Sequence, residues 1–311
     1  MSRCNNDQGE ETNFGNGFPL TGHKANETCM KSTGTLQQKP MGKNGKFFSH
    51  KPFTLESGET LSSVSLDYTT LGKFDPENVV WIFPGIENEW PELHRLIYRK
   101  RYFLVTVKMP AYGNFFTLKD MVRAYQLLKT DLDIARIKMG IGASMGGQLL
   151  LEWASEEPGL FEFIFPVATN AVQSAWGIAF NTSQRLCLEM GQPGISAAKA
   201  FASILDGQLP KNGLTDARNY YLLTKSMDSH NLGRGRKTIQ QALQKITCRA
   251  LVISLEGDML FPKQEQEFLA KHIAEAELKI IPSAYGHAGY ILETKTILQT
   301  IEEFICKHTN N

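Results

Sequence analysis

Lys138-Met139-Gly140-Ile141-Gly142-Ala143-Ser144-Met145-Gly146-Gly147-Gln148-Leu149-Leu150-Leu151-Glu152 is the stretch on which the fold turns. Gly142, Ser144 and Gly146 make a Gly-x-Ser-x-Gly pattern, and the reason for it is steric. A serine on a sharp strand-to-helix turn holds a strained backbone, so its neighbours two positions away must lack bulk for the chain to double back. Small residues around a serine also occur by chance in idle loops, so the flanks decide. Residues 137–141 can finish a short buried strand, and residues 148–155 continue as a helix with Leu149, Leu150 and Trp153 at core-facing spacing. Ser144 is therefore the candidate nucleophile.

Strand signals extend on both sides of this turn. Upstream, residues 53–61 read as a hairpin turning at Ser57-Gly58, and residues 64–70 alternate as a second edge strand. Residues 78–83 (Asn-Val-Val-Trp-Ile-Phe) and 102–108 are continuous apolar runs, which mark strands buried on both faces of a parallel sheet. Met121, Val122, Tyr125, Leu128 and Leu132 then space out an amphipathic helix over residues 118–132. Downstream, residues 161–168 form the next strand, with Pro166 tolerable where no ladder hydrogen bond is donated. Alternation resumes with a strand at 249–255, a helix at 263–273, a strand at 278–282 and a closing helix at 294–306. Strands alternating with helices predict an α/β fold, a mostly parallel sheet with helices on both faces.

The remaining segments set the domain division. Residues 1–46 are rich in Asn, Gly, Thr and Lys without apolar periodicity and read as a disordered or loosely attached tail. Residues 171–243 break the alternation with helices punctuated by Gly and Pro, and read as an inserted helical lid. The core is then 47–170 plus 244–311.

Composition excludes several function classes. With Lys plus Arg at 33 against Asp plus Glu at 32, the net charge of +1 gives no sign of a nucleic-acid or membrane-surface partner. No apolar run approaches the roughly 20 residues of a membrane span, and residues 1–7 lack the apolar region of a secretory signal. Five cysteines, without a Cys-x-x-Cys, fit free thiols in a reducing compartment, which predicts a cytoplasmic enzyme. No metal-ligand spacing is present.

A serine hydroxyl needs a base within hydrogen-bond reach. On a sheet entered through such a turn the partners follow in the chain order serine, acid, histidine. Asp258 lies just past the 249–255 strand, and His287 lies in the loop after the last strand. Glu256 competes for the acid but sits nearer the strand, and His272 falls on a solvated helix face. The oxyanion donors are expected at the N–H of Met145 and at that of Ile86, with Gly85 in reserve, after the 78–83 strand.

Several separated motifs together resemble one family, the homoserine O-acetyltransferase-like acyltransferases of the α/β-hydrolase fold. They are Thr117-Leu-Lys-Asp-Met-Val-Arg-Ala124, Gly142-Ala-Ser-Met-Gly-Gly-Gln148 with Glu152-Trp-Ala154, Asn181-Thr-Ser-Gln-Arg185, Asp228-Ser-His-Asn-Leu-Gly-Arg-Gly-Arg236, Asp258-Met-Leu-Phe-Pro262 and Tyr285-Gly-His287. The likeness runs from about residue 53 to the end. It implies a ping-pong mechanism with no bound cofactor. Ser144 takes an acyl group from acetyl-CoA or another acyl-CoA, and His287 acts as base, oriented by Asp258. The group then passes to homoserine or a related hydroxy compound, as in methionine biosynthesis. It also implies that Arg185 holds the substrate carboxylate, and it allows a homodimer. Where the family's histidine loop carries an aspartate for the substrate ammonium, this chain has Ala288, so another acid such as Glu87 or Glu89, or a different acceptor, has to make up the difference. A carboxylesterase or thioesterase, with water as acceptor, is the alternative. A non-catalytic binding protein would not require the serine, acid and histidine together.

Overall fold

The computed structural model describes residues 42–86, 90, 93, 102–109, 113–206 and 216–309. Residues 40–311 form one compact unit. Most of residues 1–46, together with Glu87 and Glu89, lie outside the described residues.

An eight-stranded sheet runs in the order β1-β4-β6-β5-β7-β8-β9-β10. Its members are β1 (Lys43–Phe48), β4 (Ser65–Leu71), β5 (Val79–Phe83), β6 (Phe103–Val107), β7 (Ile137–Ala143), β8 (Phe161–Val167), β9 (Arg249–Leu255) and β10 (Ala276–Ile281). Strands β6, β5, β7, β8, β9 and β10 pair in parallel, whereas β1 and β4 are antiparallel at one side. The pair β2 (Phe53–Thr54) and β3 (Thr60–Leu61) forms the small hairpin on its own. This is the expected α/β-hydrolase architecture, mostly parallel with helices on both faces.

One expectation is corrected at the edge. Residues 43–46, read as the end of the tail, begin β1, and β4 is consequently the second strand rather than an edge. The sequence Lys-Asn-Gly-Lys-Phe-Phe buries almost nothing, so it carried no apolar signal. Its place depends on backbone pairing with β4.

Alternation along β5 shows how the sheet divides the core. Val79, Trp81 and Phe83 join one apolar cluster, and Val80 and Ile82 join the other, as the two-residue period of a strand requires. On the first face Trp81 meets Trp153 edge to face at 4.9 Å, which ties β5 to the helix after Ser144. On the second, Phe163 and Phe165 pack on Phe304 of the closing helix. Pro166 pairs with Gly142 of β7, while the β8–β9 ladder skips from Ile164 to Val167, so the missing N–H costs no bond there.

Helix α1 (Leu118–Asp131) begins with a reciprocal capping box: Asp120 N donates to Thr117 Oγ1 and Thr117 N to Asp120 Oδ2, each at 3.1 Å. Helix α2 (Met145–Glu156) follows Ser144. Between β8 and β9 lie α3 (Ala175–Glu189), α4 (Gln192–Asp206), α5 (Ala217–Asp228) and α6 (Ile239–Gln244). The two ends of this insert meet in a neck. Val172 and Asn231 form a bridge, Gln173 N donates to His230 O and Leu232 N to Ala171 O. Its last helix, α6, belongs to the core, because Ala242 and Leu243 are buried in the main cluster and Ser155 Oγ donates to Ala242 O. Helices α7 (Lys263–His272), α8 (Gly289–Leu292) and α9 (Thr294–Thr309) complete the chain. Among the described residues, no helix is long and apolar enough to cross a membrane.

Arg236, just past the neck, is bonded through both terminal nitrogens to Glu152 of α2, at 2.8 and 3.3 Å, and through Nη2 to Glu156 at 2.7 Å. The Arg236 and Glu152 side chains are 7% and 5% exposed. Removing one partner of a buried ion pair strands the other charge. Arg236→Met should therefore cost ~3–5 kcal/mol of unfolding free energy in urea titrations. Adding Glu152→Leu should recover most of the loss.

Candidate active site

Four strand ends supply the site: β5 through Ile86, β7 through Ser144, β9 through Asp258 and β10 through His287. Carboxyl ends of parallel strands are where this class of sheet opens a crevice.

Ser144 has φ 55° and ψ −128°, a conformation unfavourable for any residue with a Cβ. It is pinned from both sides. Its N–H donates to Val167 O at 3.0 Å, and its carbonyl accepts from Thr169 Oγ1 at 2.8 Å and from Gly147 N at 3.0 Å. The flanking glycines are needed for clearance. A Cβ on Gly142 would strike the Gly146 carbonyl, and one on Gly146 would strike the carbonyl oxygens of Phe83 and Pro84. Helix α2 can thus start directly against the end of β5. Met145 is its first residue, so the N–H of Met145 has no acceptor within the helix.

Asp258 follows Gly257, which takes φ 77°, and its side chain is 1% exposed. Oδ1 accepts from the backbone N–H groups of Leu260 (2.8 Å) and Phe261 (2.9 Å), while Oδ2 lies 2.8 Å from His287 Nδ1. A carboxylate only accepts, so Nδ1 carries the hydrogen, and in the neutral ring Nε2 holds the lone pair. The imidazole sits between Phe261 and Tyr290, with ring centroids 5.2 and 5.4 Å away. Glu256 is exposed. His272 bonds back to Phe268 O within its own helix.

Ser144, His287, Ile86 and Ala288 share one cavity of about 80 Å³, partly open to solvent, with residues of α3, α4 and α5 across from them. Of the residues singled out in the sequence, Ser144, His287 and Ile86 line it directly, and Asp258 stands behind His287. Arg185 is placed differently. It does not line the cavity; its Nη2 pairs with Asp228 Oδ2 at 2.6 Å and donates to Thr182 Oγ1 at 2.8 Å. Two other residues carried no sequence signal of their own. Gln184, within the motif quoted for Arg185, lines the cavity and is 1% exposed. Glu265 has its carboxyl pushed up to about 7, by burial first and by the charge of Asp258 besides, against the opposing Asn170 and Ser174 side chains. Burial first, then the charges of Arg234 and Arg236, hold His230 neutral, lowered to about 3 against the opposing hydrogen bond to the Asn170 backbone. Among the described residues, no cluster of three or more His, Cys, Asp or Glu is placed to hold a metal ion.

The chain matches no protein-family model. It is 27% identical over 329 residues to the homoserine O-acetyltransferase of Cyclobacterium marinum, covering 83% of this chain and 94% of that one. In sequence the chain resembles the homoserine O-acetyltransferases, on an α/β-hydrolase fold. Among solved structures, the homoserine O-acetyltransferase of Bacillus anthracis superposes with a TM-score of 0.74 at 19% identity, over 85% of this chain and 97% of that one. An acetylester hydrolase from Corynebacterium glutamicum does so with a TM-score of 0.75 at 16% identity, over 89% and 98%. These structural likenesses speak for the fold. With its relatives the chain is an enzyme of the acyltransferase or hydrolase kind.

If Asp258 holds the histidine tautomer, Asp258→Asn should depress turnover of p-nitrophenyl acetate by ~10⁴-fold with the fold retained. Glu256→Gln should change it little. The reverse ranking would remove Asp258 from this role.

Proposed function

We propose that the chain is an acyl-CoA-dependent O-acyltransferase that works through a seryl acyl-enzyme on Ser144. The 2.8 Å bond between Asp258 and His287, on the wall of the cavity that also holds Ser144, supports this reading most. Relatives named homoserine O-acetyltransferase support acetyl-CoA as donor and homoserine or a related small hydroxy compound as acceptor. They also favour a place in methionine biosynthesis and in the cytoplasm.

In the first half-reaction Ser144 Oγ attacks the thioester carbonyl while His287 Nε2 takes its proton. The oxyanion faces the N–H groups of Met145 and Ile86, and such donors contribute about 3 kcal/mol each. The CoA sulfur then leaves, taking the proton from His287. In the second half the acceptor hydroxyl gives its proton to His287 and attacks the acyl carbon. Ser144 leaves with that proton. Asp258 keeps the imidazole oriented and stabilises its charged form in both halves.

The test is to incubate the protein with acetyl-CoA, with and without hydroxylated acceptors, and to follow free CoA and O-acetyl product. CoA release should depend on the acceptor, match product in amount, and fall by at least ~10⁴-fold in Ser144→Ala. Stoichiometric release of CoA and acetate without any acceptor would make the protein a hydrolase.

A further inference from the structure

Tyr290 is the third residue after His287, lies on α8, and is buried on the wall of the cavity that holds Ser144. Its ring meets His287 with centroids 5.4 Å apart, and Trp90 in a T-shaped contact at 5.5 Å. Its hydroxyl reaches the loop after β5. A Cβ on Gly85 would lie 2.7 Å from Tyr290 Oη and 3.4 Å from Cζ. Gly85 does not take a positive φ, so the position demands clearance rather than conformational freedom. The tyrosine hydroxyl fills the space that a side chain on Gly85 would need.

A second element closes on the same loop. The carbonyl oxygens of Phe83 and Pro84 lie so near Gly146 of α2 that a Cβ there would strike both. Residues 83–85 are thus gripped by the helix that starts at Ser144 and by the tyrosine that follows His287. The chain is held again at Trp90, whose Nε1 donates to Thr294 Oγ1 at 2.8 Å, four residues beyond Tyr290. The peptide after Gly85 carries the N–H of Ile86, the proposed second oxyanion donor. Such a donor is worth roughly 10²–10³ in rate, and only when it sits about 2.7–3.1 Å from the developing charge. Contacts that fix this peptide therefore act directly on the rate.

We propose that Tyr290 is a positioning residue whose hydroxyl, packed on Gly85, sets the Ile86 N–H in register with Ser144 and His287. The proposal rests on the acyl-transfer reading for the step it serves, though the contact itself does not. In that step Ser144 Oγ bonds to the acyl carbon and its proton passes to His287 Nε2. The carbonyl π pair moves onto oxygen, which the Ile86 N–H then faces. Tyr290 exchanges no proton and acts through the loop alone.

The experiment compares Tyr290→Phe, Gly85→Ala and the double variant in the whole protein. Burst kinetics with p-nitrophenyl acetate give the limiting acylation rate, its KM and its pH profile, and thermal unfolding follows the same cycle. Tyr290→Phe should lower the limiting rate ~10-fold, with KM and the midpoint of the pH profile unmoved. Gly85→Ala should lower it ~100-fold, because the new methyl strikes the hydroxyl and displaces the loop. The double variant should be at least ~10-fold faster than Gly85→Ala, since the methyl then meets only the ring at ordinary contact distance. If Gly85→Ala fails to fold, recovery of folded, active protein in the double variant is the same result. An unchanged rate in Tyr290→Phe overturns the proposal, as does a double variant no faster than Gly85→Ala. A loss carried by KM would make Tyr290 a substrate contact instead, and a shifted pH profile would place its effect in His287; either overturns the proposal. If the unmodified protein forms no acyl-enzyme yet the unfolding temperatures show the rescue, the acyl-transfer reading fails and the Tyr290–Gly85 assignment stands.

Discussion

The structure depends on a single strained residue. Ser144 at φ 55° joins the end of a buried strand to the start of a buried helix with no intervening loop. Strain of this kind costs on the order of 1–3 kcal/mol and persists where the surroundings over-determine it. Here they do so through a hydrogen bond donated to β8 and one accepted from Thr169, and through two glycines whose missing Cβ atoms allow backbones to touch. The reward is positional. The serine lines the crevice, and the N–H of Met145, the first residue of α2, stands beside it without an acceptor in the helix.

From that turn the same helix reaches into the rest of the fold. Trp153 of α2 packs edge to face on both Trp81 and Phe83, which ties the helix after Ser144 to β5. Glu152, the preceding residue, binds Arg236 at the exit of the insert. The insert is thereby fastened to the helix that carries the nucleophile, in addition to its backbone neck. On the opposite side, Asp258 is fixed by two backbone donors before it meets His287, so the acid needs no further charge to stay in place.

Much of this was legible in the sequence wherever burial left a mark. The apolar runs at β5, β6 and β8, the Gly-x-Ser-x-Gly turn, and Asp258 and His287 after later strands were all readable from hydrophobic pattern and chain order. What burial does not mark was missed. Strand β1 alternates lysine, asparagine and glycine with little buried surface, and only its pairing with β4 reveals it. Helix α6 read as part of the lid because six residues cannot show a helical period, while its packing under Ser155 places it in the core. Arg185 drew attention as a cation, whereas the structure pairs its Nη2 with Asp228 and places its neighbour Gln184 on the cavity wall.

The central claim is that Ser144 becomes acylated. Intact-protein and peptide mass spectrometry after brief exposure to acetyl-CoA, quenched in acid without acceptor, tests it most directly. The account predicts a single added acetyl group on the peptide carrying Ser144, removed on adding a hydroxylated acceptor and absent in Ser144→Ala. An acetyl group on a cysteine or on His287 with Ser144 unmodified, or acetyl product formed at full rate by the alanine variant, would contradict it.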